Sequence, residues 1–251
     1  MIKENGITYL DDTVYNYFCN EQGPKTLYRY MDYKKMQEGE LWFSNPAIWI
    51  DPYEKLFLDS TYLLPGEKIK FPLLNRIFCF CLTTTGLSDA AWRVYDCDTK
   101  FCTKAEKLVQ VLKEHTKDYD VYIGSVNYEN QSRLERDSVK KLIGVSTFNS
   151  SSDEAWVRLL LLKRKAFDYE KEIRIILVKK EEPETPQAGM SLKSSIPMKT
   201  LFHRVELSPF LDPSKIEATK TSLFYKFYFA SEQITISDMY TAVKPRRLML
   251  Y

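Results

Sequence analysis

The stretch FDYEKEIRII, residues 167–176, places two carboxylates and a guanidinium on one face of a predicted strand. Strand side chains alternate, so Glu170, Glu172 and Arg174 share one face while Tyr169, Lys171, Ile173 and Ile175 share the other. Neighbours on one face are separated by roughly 6.6 Å of backbone rise. Three ionisable groups in a row on an otherwise apolar segment are costly to bury unless they pair or face a cleft. Spacing alone leaves two readings open. One is a solvated or strand-stabilising ladder of charge; the other is a glutamate whose charge is used on a substrate.

Outward from this strand, the chain mixes short helices and strands. Residues 27–30 read as a strand after a turn at Gly23 and Pro24, and residues 32–38 as a helix capped by Asp32 and stopped at Gly39. Residues 41–43 form a second strand, ended by Ser44, Asn45 and Pro46 because turn formers and proline do not extend a central ladder. A loop or short helix surrounds Asp51 and Pro52, and residues 76–82 are a strand of β-formers. Ser88 is an N-cap for a helix carrying Trp92 and Tyr95. Residues 104–112 read as a helix, 131–142 as a charged helix or an excursion, and residues 121–128 as a weakly alternating strand. Residues 152–165 are the strongest helix, opening at Ser152, with the strand of residues 167–179 behind it. Residues 180–195 read as a loop or hairpin tip, 201–207 as a strand, 209–213 as a turn into a short helix or loop, and 233–236 as a late strand. Trp92 and Trp156 read as anchors between helix and sheet. Late strands after an early mixture favour an α+β fold, one domain over residues 1–251 with a mixed or antiparallel central sheet.

Bulk composition narrows the classes. The chain is 44% hydrophobic and 28% charged, as ordinary globular proteins are. Its net charge of +2 does not demand a nucleic acid or an anionic membrane, although residues 158–165 and 244–247 are locally basic. Five cysteines are too few for a disulfide scaffold, and an odd number leaves one unpaired. With two histidines, both remote from the cysteines, no conventional metal-ligand spacing occurs. The first residues lack a signal-peptide pattern, and no window reaches about 18 apolar residues. These features predict a cytoplasmic protein with reduced thiols, no membrane association and no metal.

No glycine-rich dinucleotide or P-loop motif occurs, nor G-x-S-x-G, H-E-x-x-H or H-R-D. An enzyme built from this set would work with carboxylate, guanidinium, hydroxyl and aromatic groups. Cleavage at an anomeric carbon fits, because a glutamate can stabilise oxocarbenium charge there.

The order of motifs supports a family resemblance. LYRY at 27–30 is followed by LWFSNP at 41–46, Asp51-Pro52, AWRVY at 91–95, VNY at 126–128 and the F-x-Y-E-K-E-I-R strand from Phe167. Over residues 27–176 this resembles a widespread bacterial family catalogued as a domain of unknown function, itself distantly similar to toxin-like, NAD-dependent ADP-ribosyltransferases. Ile50 and Phe167 stand where that family has Asn and Trp, and its H-K-G segment is not found after Tyr95.

The resemblance implies a cleft between early strands and a late one, with NAD as co-substrate. Arg29 would hold NAD phosphate through a bidentate fork. Ser44 would brace the cleft, and Tyr30 or Phe43 would pack on nicotinamide. Glu172 would stabilise the oxocarbenium-like transition state, with Glu170 orienting the acceptor or serving as its base. Lys163, Arg164 and Lys165 would guide an RNA or DNA acceptor; a protein acceptor stays open. The role implied is an intracellular toxin or phage-defence effector, restrained by an antitoxin or chaperone. Two alternatives stand beside it: a non-enzymatic module that binds a nucleotide or partner in the same cleft, and a nuclease.

Overall fold

A computed structural model describes residues 1–19, 25–64, 66–144, 153–183 and 185–241. Strands β1 (Ile2–Glu4), β2 (Ile7–Tyr9), β3 (Thr26–Met31) and β4 (Glu40–Ser44) come first. Strands β5 (Tyr62–Leu64) and β6 (Glu67–Ile69) form a separate hairpin. Next come β7 (Ile77–Thr83), β8 (Thr99–Lys104) and β9 (Tyr119–Ser125), then β10 (Asn127–Glu129) and β11 (Leu162–Arg164), which pair in parallel as a two-stranded ribbon. Strands β12 (Glu172–Lys179), β13 (Gly189–Lys193), β14 (Phe202–Leu207) and β15 (Ile234–Ile236) follow.

Eleven of these strands make one sheet, ordered β1-β2-β9-β12-β7-β3-β8-β14-β15, with β4 attached to β7 and β13 to β4. The β2–β9 and β14–β15 pairs are parallel and β12 is antiparallel to both its neighbours, so the sheet is mixed. Helices and strands interleave around it in a single mixed α/β domain. Because both edges of β12 are paired, its residues are buried from Glu172 to Val178. Alternation sends Ile173, Ile175 and Leu177 into the larger core, beside Phe80 and Phe101. Ile176 and Val178 face a second core on the other side of the sheet, around Trp156. Trp92 and Trp156 are both buried, as expected of anchors. Among the described residues no helix is long and apolar enough to cross a membrane.

Several boundaries differ from those predicted. Strand β12 begins at Glu172; Lys165–Glu170 is a 3-10 turn, and Lys171 lies in the left-handed region at φ 43°. The carbonyl of Lys171 accepts the Thr84 N–H at 3.2 Å, and that of Glu170 accepts from the Thr83 hydroxyl, so the loop after β7 clasps the turn. The helix expected over residues 152–165 is only Asp153–Leu159. All four leucines of the run at 159–162 are buried, which a helix packed on one face cannot achieve; the chain turns and enters β11 instead. The predicted loop at 180–195 contains β13, paired with β4 over its whole length.

The helix expected at 32–38 is a short 3-10 turn, Tyr33–Lys35, with Asp32 as its cap and Gly39 at φ 71° leading into β4. The hairpin β1–β2, the helix Asp12–Cys19 and strand β8 were not expected, and the short helix or loop expected after residues 209–213 is the long helix Pro213–Phe227. This helix carries legible signals: Asp212 accepts from the Ser214 N–H at 2.9 Å, Pro213 opens the first turn, and Ile216, Thr219, Leu223 and Phe227 form one stripe. Ser88 caps Asp89–Tyr95 as predicted, accepting the Ala91 N–H at 3.1 Å. The turn at Gly23 and Pro24, the Ser152 cap and the basic residues 244–247 lie outside the described residues.

Candidate functional site

The site begins with a divergence in the sheet. Strand β3 meets β7 at one pair, Tyr28 with Thr83, and β4 meets the same edge at one pair, Ser44 with Cys79. Cys81 lies between these pairs, with its backbone directed at the gap. Its carbonyl accepts a hydrogen bond from Arg29 Nη1 at 2.6 Å, and the guanidinium rests 4.1 Å from the centroid of the Phe80 ring. A side chain thus serves a carbonyl that a strand would otherwise have paired. Arg29 Nε is buried without a protein partner. Burial lowers the pKa of Arg29, while the nearby Cys81, Tyr95 and Glu172 act to raise it.

A cavity of about 380 Å³ opens at this divergence, with Arg29, Tyr30, Trp42, Cys81, Tyr95, Glu170 and Glu172 among its lining residues. Tyr30 stands edge-on to Trp92 at 4.8 Å and is stacked near Tyr95 at 6.1 Å, and its hydroxyl is buried without a protein partner. Tyr95 is 45% exposed overall, yet it lies close enough to Glu170 to feel its charge. Desolvation and the charges of Glu170 and Glu172 push the pKa of the Tyr95 hydroxyl upward.

Behind the carboxylates lies a buried ion cluster. Arg174 grips Glu172 through two parallel bonds, Nε to Oε1 at 2.9 Å and Nη2 to Oε2 at 3.0 Å. Lys163 Nζ lies 3.2 Å from Glu172 Oε2 and 2.5 Å from Glu170 Oε2. Glu54, from the helix Pro52–Asp59, bonds to Arg174 and sits 3.8 Å from Lys163. Arg174 also donates to the Leu160 carbonyl and stacks 4.3 Å from Trp49. Arg174 is 1% exposed and Glu172 6%, so the pairing takes place in a low-dielectric interior.

Three carboxylates face two cations, and the two glutamates beside the cavity respond differently. Burial works against the charge of Glu172, but Arg174 and Lys163 outweigh it and hold the carboxyl at about 2. Glu170 moves the other way: burial raises it, more than Lys163 pulls it down, and the charge of Glu172 adds to the rise. Burial also disfavours the charge of Lys163, yet Glu172, Glu54 and Glu170 raise its pKa. The Cys81 thiol lies near Glu172, and its pKa is raised well above the usual thiol value by burial and then by that neighbouring charge.

The predicted residues separate into those on the cavity and those away from it. Arg29, Tyr30, Glu170 and Glu172 line it together. Phe43 is fully buried in the larger core, 5.2 Å from Phe80, and does not reach the cavity. Ser44 is the β4 residue that joins β7; its hydroxyl accepts from Trp49 Nε1 at 3.4 Å, and it is not among the residues that line the cavity. The basic run does not form one exposed surface. Lys163 is inside the ion cluster, Arg164 pairs with Asp51 at 2.9 Å, and only Lys165 is exposed. Glu54, Trp42, Cys81 and Tyr95 are site residues the sequence reading passed over. Glu54 follows the cap Asp51 by three positions, where a capping role would be the ordinary inference.

Among the described residues no group of three or more His, Cys, Asp or Glu is arranged to hold a metal ion. No family model, curated protein or solved structure matches the chain. The family resemblance therefore rests on the quoted motifs alone.

Proposed function

We propose that the chain is an NAD-dependent ADP-ribosyltransferase that modifies an intracellular macromolecule, in the role of a toxin or phage-defence effector. One observation carries the reading: Arg29 of β3, Glu172 at the start of β12 and Glu170 in the turn before it line a single cavity, at the point where the sheet divides. The guanidinium spends one N–H on Cys81 and keeps others for a pyrophosphate, whose oxygens match its fork. Tyr30 and Tyr95 offer aromatic faces to the cationic nicotinamide ring. Glu172, ionised at neutral pH, would stabilise the developing oxocarbenium charge. The proposed acceptor is a nucleic acid, with Lys165, the exposed member of the basic run, as its candidate phosphate contact, or else a protein; a restraining antitoxin or chaperone belongs to the same proposal.

A second reading has its own support. Both oxygens of Glu172 are already held by Arg174 and Lys163, as in a purely structural ion cluster. Arg29 and the aromatic rings would then suffice for a non-enzymatic nucleotide-binding module. Incubation with labelled NAD and host protein, RNA and DNA fractions separates the two. Label transfer by the parent and not by Glu172→Gln supports the transferase and names its acceptor. NAD binding without transfer selects the module, and no NAD binding rejects the transferase and leaves a module for another nucleotide or partner.

A further inference from the structure

Among the described residues Lys163 is the one cation that touches both glutamates on the cavity, at 2.5 Å from Glu170 and 3.2 Å from Glu172. It comes from β11, outside the main sheet, where it is the pairing partner of Tyr128. The Tyr128 hydroxyl in turn accepts the Glu172 N–H at 2.9 Å, so β10 and β11 fix ammonium and carboxylate from one ribbon. The two glutamates are held unequally. Glu172 has the Arg174 fork on both oxygens and Lys163 on one. Glu170 is gripped by Lys163 through Oε2, with Tyr95 nearby on the cavity wall.

We propose that Lys163 is a positioning residue that sorts the two glutamates: with Arg174 it fixes Glu172 as a permanent anion on the cavity wall, and it holds Glu170 by one oxygen as the carboxylate that exchanges a proton with the acceptor. The proposal rests on the transferase reading. In that reaction an acceptor X–H attacks C1′ of the nicotinamide ribose. The C1′–X bond forms, the C1′–N bond breaks, and its electron pair leaves on neutral nicotinamide. The proton of X–H passes to the Glu170 carboxylate and then to water. Water itself is the simplest X–H, giving nicotinamide release without an identified acceptor.

The groups facing Glu170 are Lys163 from β11, Glu172 from β12, Glu54 from Pro52–Asp59, Tyr95 from Asp89–Tyr95, Tyr128 from β10 and Tyr169 from its own turn. Lys163 is the cation of this set, so its removal favours the protonated form of Glu170. The test is a ¹³C NMR titration of glutamate side-chain carboxyls in the parent, Lys163→Met and Lys163→Arg, with nicotinamide release from NAD followed against pH in the same proteins. In Lys163→Met the Glu170 midpoint moves up by about one pH unit, the scale of losing one close opposite charge, and the rising limb of nicotinamide release moves with it. Lys163→Arg restores both. An unmoved Glu170 midpoint in folded Lys163→Met, or an equal loss of release at every pH, overturns the proposal. If Lys163→Met does not fold, the Lys163→Met/Glu54→Gln pair keeps the balance of charge and is compared with Glu54→Gln alone. A parent that releases no nicotinamide rejects the transferase reading, while the carboxyl titration still decides whether Lys163 governs Glu170.

Discussion

Arg29 Nη1 donates to the Cys81 carbonyl at 2.6 Å, on the edge of β7 between the Ser44–Cys79 and Tyr28–Thr83 pairs. The arginine thereby does two things. It satisfies a backbone group that the divergence of β3 and β4 leaves unpaired, and it places a half-buried cation on the cavity wall. Under the proposed function, stability and NAD binding would be coupled at this residue.

Arg29→Met keeps much of the contact with Phe80 but strips the Cys81 carbonyl of its donor. Stability is expected to fall by about 1–3 kcal/mol, the cost of an unsatisfied buried acceptor. The thermal shift produced by NAD should disappear in the same variant. Urea unfolding reads the stability and thermal unfolding with and without NAD reads the shift; a variant that stays as stable as the parent and still responds to NAD contradicts both expectations.

The two glutamates are expected to leave opposite marks on stability against pH. Glu172 is held at about 2, below its usual 4.5, so its contribution is full above about pH 4.5 and is lost as pH falls toward 2. Glu170 is raised, so the folded protein holds its proton more tightly and this contribution declines as pH rises from about 4.5. Glu172→Gln should flatten the acid limb of the stability profile. Glu170→Gln should instead remove part of the decline toward neutral pH. Parallel profiles for the parent and both variants would count against these assignments.

For turnover, Glu172→Gln preserves size and removes the charge that would stabilise the developing cation. A loss of at least about tenfold in transfer, near 1.4 kcal/mol in the transition state, is expected. Much of the NAD affinity should survive. Unchanged turnover in folded protein rejects the role.

Gly189 tests the architecture without reference to chemistry. It pairs with Ser44 at the end of β13, and a Cβ there would meet Trp42 Cζ2 at 2.4 Å and the Phe43 carbonyl oxygen at 2.6 Å. The indole can move, but the backbone oxygen cannot, so Gly189→Ala should cost about 1–3 kcal/mol through overpacking. Because Trp42 lines the cavity, its fluorescence should change as well. A neutral substitution with unchanged emission contradicts the packing.

Much of the local structure was legible before any tertiary information. The alternation Glu172, Ile173, Arg174, Ile175 places charge on one face and apolar groups on the other, as the sheet does. Ser88 is a cap, and Trp92 and Trp156 are buried. Glu170 was the misread member of the row: it reaches Lys163 from a 3-10 turn and not from the strand, because Lys171 reverses the backbone. The charged run at Lys163, Arg164 and Lys165 looked like a surface, whereas two of its members are spent on Glu170, Glu172 and Asp51.

The sequence by itself determined which residues alternate, cap and bury, since those properties follow from backbone period and from groups within one turn. Only the tertiary structure decided which charges meet. Glu54, Lys163 and Arg174 come from a helix, a side ribbon and a central strand, and no local period relates them. The cavity is likewise a property of the sheet: β3 and β4 each touch β7 once, and the space between them exists because Arg29, rather than a strand, meets Cys81.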